Sequence, residues 1–167
     1  MIELWASATK DVSILILLGC ANFMPIVARY FLKEKFAKPV DMGIKWMDKR
    51  PLFGTHKTWR GIAASITGTT AIAPLVGVEA FTGTLLAFWS MSGDLVASFI
   101  KRRLNKPSGA KATGLDQIVE SAMPLIIMRK KLDLAWYDIV LVVAIFSVLE
   151  IYLSPILYKL KIRRRPY

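Results

Sequence analysis

The stretch Phe81-Thr82-Gly83-Thr84-Leu85-Leu86-Ala87-Phe88-Trp89-Ser90-Met91-Ser92-Gly93-Asp94-Leu95-Val96-Ala97-Ser98-Phe99-Ile100, followed at once by Lys101-Arg102-Arg103, decides how the chain reads. It holds one charge, Asp94, over a length that matches the roughly 20 mainly apolar residues of a helix crossing the hydrocarbon core. The basic triplet at its end suits both the negative helix C-terminus and an anionic headgroup layer. The stretch therefore predicts a membrane helix with a carboxylate at depth. Such a group costs on the order of 2.5–3.5 kcal/mol even on the gentler insertion scales, so it marks a functional position unless a structural partner explains it. Ser90, Asp94, Ser98 and Lys101 recur at helical spacing and share one face, while Gly93 and Ala97 leave room for a neighbouring backbone.

Working outward, further spans are predicted near residues 12–32, 61–78, 116–131 and 135–159, with polar loops over 33–60 and 101–115. The 116–131 segment is the shortest and carries Glu120. The expected architecture is all-α, a polytopic bundle of about five transmembrane helices in one catalytic domain over residues 1–167. The first span lacks the basic n-region and the cleavage site of a signal peptide. Arg29 near its end is placed to snorkel to the interface. Pro25, Pro74, Pro124 and Pro155 fall inside spans, where kinks are tolerated if neighbours satisfy the freed carbonyls. Thr113 and Asp116 have the spacing of a capping box at a helix start.

Charge gives the orientation. Of the 23 Lys and Arg residues, eighteen fall in the two large loops and the C-terminal tail, against four on the other side (Lys10, Arg129, Lys130, Lys131). By the positive-inside tendency, this predicts a cytoplasmic C-terminus and an N-terminus outside, in the cell membrane. The net charge of +11 suits an anionic membrane face or phosphate-bearing substrates. Nucleic acid is disfavoured because the cations flank apolar spans and no nucleic-acid-binding signature is present. A hydrophobic share of 54% exceeds the roughly 45–50% of soluble domains. One cysteine, Cys20, and one histidine, His56, exclude a disulfide framework and a multi-His metal cage.

Three elements can carry chemistry. Asp94 leads to Lys101 and Arg102. Asp116 and Glu120 open the following helix at i, i+4, after a short loop bearing Lys106 and Lys111. Phe53-Gly54-Thr55-His56-Lys57-Thr58-Trp59-Arg60-Gly61 precedes a helix N-terminus, where backbone N–H groups favour anions, although it lacks P-loop glycine spacing. Magnesium is commonly held by one or two carboxylates plus substrate phosphates, and Asp94 with Asp116 supplies that complement.

Together these elements resemble the phosphatidate cytidylyltransferase (CDP-diglyceride synthase) family. Lys57-Thr58-Trp59-Arg60-Gly61 is similar to its K-T-W-E-G element, with Arg60 in place of the acidic residue. Gly93-Asp94-Leu95 and Ser98-Phe99-Ile100-Lys101-Arg102 match G-D-L and S-x-x-K-R. Lys111 stands for a loop lysine, and Leu115-Asp116-Gln117 with Glu120-Ser121 for the closing segment. The family's Pro-Gly-His-Gly-Gly run is reduced to Ala112-Thr113-Gly114. The short chain resembles the archaeal branch, the CDP-archaeol synthases, over Phe53 to Ser121.

The resemblance implies transfer of CMP from CTP to an isoprenoid ether lipid phosphate, with pyrophosphate released. Asp94 and Asp116 would hold Mg²⁺; Lys57, Lys101, Arg102 and Lys111 would offset phosphate charge; Thr58 and Ser98 would make polar contacts. A CTP-dependent polyprenol kinase and a small cation transporter are the alternatives. The kinase would have to deprotonate an alcohol, and the transporter would leave the basic clusters idle.

Overall fold

The computed structural model describes residues 2–110, 112 and 114–161, with side chains from Thr9 onward. Among these residues five helices follow in order: α1 (Ile2–Leu32), α2 (Trp59–Ile72), α3 (Ala80–Arg103), α4 (Leu115–Ile127) and α5 (Trp136–Lys159). A 3-10 turn, Ala73–Val76, prolongs α2. Among the described residues there is no strand, only isolated bridges at Pro39–Thr58 and Lys45–Pro51. The all-α expectation holds.

Among the described residues, three helices are long and apolar enough to cross a membrane: Thr9–Leu32 within α1, then α3 and α5. At about 1.5 Å per residue, the 14 residues of α2 and the 13 of α4 fall short of a hydrocarbon core of about 30 Å. Proline accounts for one of these limits. Pro74 lacks the N–H that an α-helix needs, so the chain tightens into the 3-10 turn and ends at Gly77, whose φ of +76° suits glycine. The α4 helix ends at Ile127, before the predicted limit of 131, and a turn over 128–134 leads to α5.

Consecutive helices run antiparallel. One end of the bundle collects the C-termini of α1, α3 and α5 and the N-termini of α2 and α4. α3 is the centre and packs against α1, α2 and α4. Small residues permit this closeness. A Cβ on Gly93 would lie 2.6 Å from the Val119 carbonyl oxygen of α4, and one on Gly83 would lie 2.5 Å from Ala73 Cβ. Bulkier residues would force the helices apart, as expected where packing rather than water drives association.

The apolar core lies in the other half of the bundle. Leu17 and Leu18 of α1, Leu86 of α3, Leu125 of α4 and Val142 and Phe146 of α5 are buried there. Outward positions of α5, including Val140, Val148 and Tyr152, are exposed and apolar. That pattern suits lipid and would be a liability in water. At this end, Ser13 Oγ donates to the Val76 carbonyl at 2.9 Å, and Lys10 reaches the Asp133 carbonyl.

Helix starts differ in detail from expectation. Thr113 and Lys111 lie outside the described residues, as do Arg163, Arg164 and Arg165 of the basic tail. Gly114 occupies the N-cap of α4, and Gln117 Oε1 accepts its N–H at 2.9 Å. The reciprocal half of the box therefore falls one residue later than predicted, on Gln117 instead of Asp116. Asp116 is left free to turn toward the neighbouring helix.

Candidate active site

At the end opposite the apolar core, the helices splay around a cavity of about 510 Å³. Lys57, Asp94, Ser98, Lys101, Arg102 and Asp116 all line it. The third helix supplies four of these. The spacing that places Asp94, Ser98 and Lys101 on one face also aims that face at α4, because Gly93 lets the two backbones nearly touch.

The charges are matched in two pairs. Lys57, on the loop leading into α2, forms an ion pair with Asp94. Lys101 Nζ lies 2.7 Å from Asp116 Oδ1. Burial disfavours the Lys57 ammonium, but Asp94, with Glu120 and Asp116 beyond it, outweighs this and holds its pKa above the usual lysine value. Arg102 is buried, and its Nε has no hydrogen-bond partner among the described residues. The lysines expected on phosphate thus rest on the carboxylates expected on metal. Each cation stands where an ion or a substrate could displace it.

Thr58 has a second occupation. Its hydroxyl caps α2, accepting the Gly61 N–H at 3.3 Å. Arg60, the departure from the acidic residue of the resembling motif, does not line this cavity but borders a smaller chamber beside it. Its guanidinium donates to the carbonyls of Lys33 and Lys35, closing the end of α1. It acts where a basic group favours a helix C-terminus.

Several lining residues escaped the sequence reading. Arg29, expected to snorkel outward, turns inward with Asn22, two helical turns earlier on the same face of α1. Glu150 and Ser154 enter from α5. Glu120, already paired with Asp116 in the sequence, lines the cavity too; it is buried, and its Oε1 has no hydrogen-bond partner among the described residues. The intramembrane rarity of Asn22, Arg29 and Glu150 was the available signal.

Asp41 was also missed. Its carboxylate accepts N–H groups from Gly43, Phe53 and Gly54 at 3.1, 3.0 and 2.7 Å, folding the 41–54 segment onto the cavity wall. A Cβ at Gly54, where φ is +94°, would meet Ser108 Oγ at 2.6 Å. The first loop thus closes against the loop after α3. Beside the main cavity lies a smaller chamber of about 190 Å³, and Arg29, His56, Lys57 and Asp94 line both.

The donor set fits a hard cation. Asp94, Asp116 and the incompletely partnered Glu120 supply oxygen, the ligand type of Mg²⁺. Among the described residues no three acidic, His or Cys side chains converge closely enough to hold a metal by themselves.

Similarity to known proteins identifies the family. The family model described as CarS-like, CDP-archaeol synthase, matches residues 12–167. A CDP-archaeol synthase of Saccharolobus islandicus (strain L.S.2.15 / Lassen #1) is 30% identical over 170 residues, covering 96% of this chain and 99% of its own. One from Pyrococcus furiosus is 43% identical over 89 residues, 47% of this chain and 53% of its own. A solved structure of an intramembrane enzyme for archaeal membrane lipids biosynthesis superposes with a TM-score of 0.74 at 26% identity. It covers 84% of this chain and 90% of that one. The chain is a helical membrane protein, and it belongs to the CarS-like CDP-archaeol synthase family.

Proposed function

We propose that this protein transfers CMP from CTP to an archaeal lipid phosphate bearing two geranylgeranyl ether chains, giving CDP-archaeol and pyrophosphate. The observation that carries the reading is one polar cavity in which Asp94 and Asp116, from touching helices, each face a lysine. The relatives' names supply the reaction class, and the cavity supplies chemistry suited to it.

In this reading the triphosphate enters the larger cavity. Asp94 and Asp116 would hold Mg²⁺, which when bound would offset the triphosphate charge and polarise the α-phosphoryl group. Lys57 and Lys101, released from their carboxylates, move onto phosphate oxygens together with Arg102, and Lys111 is proposed as a further phosphate contact. Ser98 adds a polar contact, and Thr58 holds the α2 N-terminus in place. The lipid phosphate approaches through the smaller chamber past Arg29. One of its oxygens bonds to the α-phosphorus as the bond from that phosphorus to the bridging oxygen breaks, and pyrophosphate leaves with the electron pair.

This transfer needs positioning and charge stabilisation more than covalent help. A phosphate monoester has a second pKa of about 6, so the nucleophile is already largely dianionic at neutral pH. No general base is required, which suits a cavity whose only imidazole is His56. The charge asymmetry orients the cavity to the cytoplasm in a multi-pass chain acting as one catalytic domain.

Product analysis tests the reading. Purified protein given CTP, Mg²⁺ and the lipid phosphate should release pyrophosphate and a CDP-lipid in equal amounts. CDP formed with a prenol acceptor would identify a kinase instead. Absence of turnover with either acceptor would remove the enzymatic reading.

A further inference from the structure

The segment after α1 forms a hairpin that the cavity does not use. Trp46 N–H donates to the Arg50 carbonyl at 2.8 Å and Leu52 N–H to the Ile44 carbonyl at 3.1 Å, with Met47, Asp48 and Lys49 at the tip. Its apolar residues face outward: Met47 is 91% exposed, Met42 59%, Ile44 58% and Trp46 47%. Lys45 and Lys49 are exposed among them. A soluble loop of this length rarely displays so continuous an apolar strip.

Its docking place says what covers it. Along α3, Phe81, Leu85, Phe88, Ser92, Val96, Phe99 and Arg103 recur at helical spacing and are all exposed or half-buried, whereas the opposite face is buried. This is the lipid-facing stripe of a spanning helix. Trp46 sits edge-on against Phe99 with ring centroids 5.5 Å apart, and the Arg103 guanidinium lies 4.7 Å over the same ring. Asp48 reaches Arg103 at 3.1 Å, and Arg50 donates to the Arg103 carbonyl at 2.7 Å. The hairpin is therefore clamped to the end of the lipid-facing stripe.

Depth follows from length. The 24 residues of α3 span about 36 Å, about 6 Å more than the hydrocarbon core. Its last turn, from Phe99 to Arg103, then lies at the boundary of chains and headgroups. Aromatic side chains gather at that level, and lysines beside them meet anionic headgroups.

We infer that the 42–49 hairpin is an interfacial anchor, inserting Ile44, Trp46 and Met47 into the boundary of an anionic lipid surface while Lys45 and Lys49 meet its headgroups. Through Asp41 at its base, the same hairpin holds the backbone of Phe53 and Gly54, just ahead of Lys57. Lipid contact thereby seats the wall that carries a cavity lysine. The inference does not depend on which reaction the cavity performs.

Spin labelling at the tip decides it. Cys20 is buried, so a Met47→Cys variant labels selectively, and Cys20→Ala checks that selectivity. The probe is a nanodisc of phosphatidylglycerol and phosphatidylcholine, compared with one of phosphatidylcholine alone. Oxygen should collide with the label several-fold more often than a water-soluble nickel chelate. The label should lie deeper in the anionic disc, and Lys45→Glu with Lys49→Glu should abolish that difference. Preferential collision with nickel in both discs would place the tip in water and overturn the anchor. Shielding from both reagents with dipolar broadening between labels would make the hairpin a contact between two copies, which also overturns it.

Discussion

Two carboxylates at opposite ends of the bundle look alike in the sequence and differ in the structure. Asp94 lies within α3, and its side chain is 17% exposed. Asp138 begins α5 and is more deeply buried, at 2%. Asp138 Oδ2 accepts the Ala135 N–H at 2.8 Å and so serves a helix start, while its Oδ1 has no hydrogen-bond partner among the described residues. Asp94 instead pairs directly with the Lys57 ammonium in the wall of a cavity that Asp116, Lys101 and Arg102 also line. Burial of a charge does not by itself separate structure from chemistry. The partner does: a backbone N–H cannot leave, whereas a lysine side chain can.

The comparison breaks first if the two ends respond alike to substitution. Asp94→Asn and Asp116→Asn should each lower CDP-lipid formation by about 10²–10³-fold, the scale of losing one charge-stabilising group, with the folded state kept in detergent. Asp138→Ala should leave turnover near normal while costing about 0.5–2 kcal/mol of stability, the usual range for losing a helix cap. Pyrophosphate release and thermal melting read the two effects separately. Equal rate losses at all three positions would mean that the distinction between the ends is wrong.

An intermediate effect is expected at the contact that brings the charges together. Gly93→Val would push against Val119 O, 2.6 Å from the built Cβ. Overpacking of this kind costs about 1–3 kcal/mol, and parting α3 from α4 would also separate Asp94 from Asp116. Melting temperature and turnover should fall together. A fall in neither would show that the close approach is dispensable.

The smallest effect concerns pH. Burial raises the Asp41 pKa, but hydrogen bonds from the Gly54, Gly43 and Phe53 N–H groups outweigh it and hold the group below its ordinary 3.8. A depressed carboxylate stabilises the fold above its unfolded pKa. That contribution is lost as pH falls from 3.8 through the lowered folded value. Asp41→Asn should flatten this acid limb of the stability profile and leave stability near neutral pH lower than that of the parent. An unchanged acid limb would assign the loss to other groups.

Much of the fold was legible because apolar length and helical spacing are local signals. The runs around residues 12–32, 81–100 and 135–159 needed no tertiary information to be read as spans. The α2 and α4 limits were less legible, because Pro74 and the turn after Ile127 act through geometry that hydropathy averages away. In the site, Asp94, Ser98, Lys101 and Asp116 could be grouped because one helical face and one short loop unite them. Asn22, Arg29 and Glu150 could not, since each meets the cavity through contacts distant in sequence, and Asp41 acts on its wall only through the Phe53 and Gly54 N–H groups. The pairing of Lys57 with Asp94 was hidden for the same reason: spacing within α3 cannot show which loop lysine folds onto it.

The central claim is that Asp94 and Asp116 hold magnesium against a nucleoside triphosphate in one cavity. Calorimetric titration of purified protein with CTP, with and without Mg²⁺, tests it most directly. The account predicts saturable binding that strengthens with Mg²⁺, loses that strengthening in Asp94→Asn and in Asp116→Asn, and keeps it in Asp138→Ala. CTP binding that is indifferent to Mg²⁺, or Mg²⁺ dependence that survives both substitutions, would contradict it.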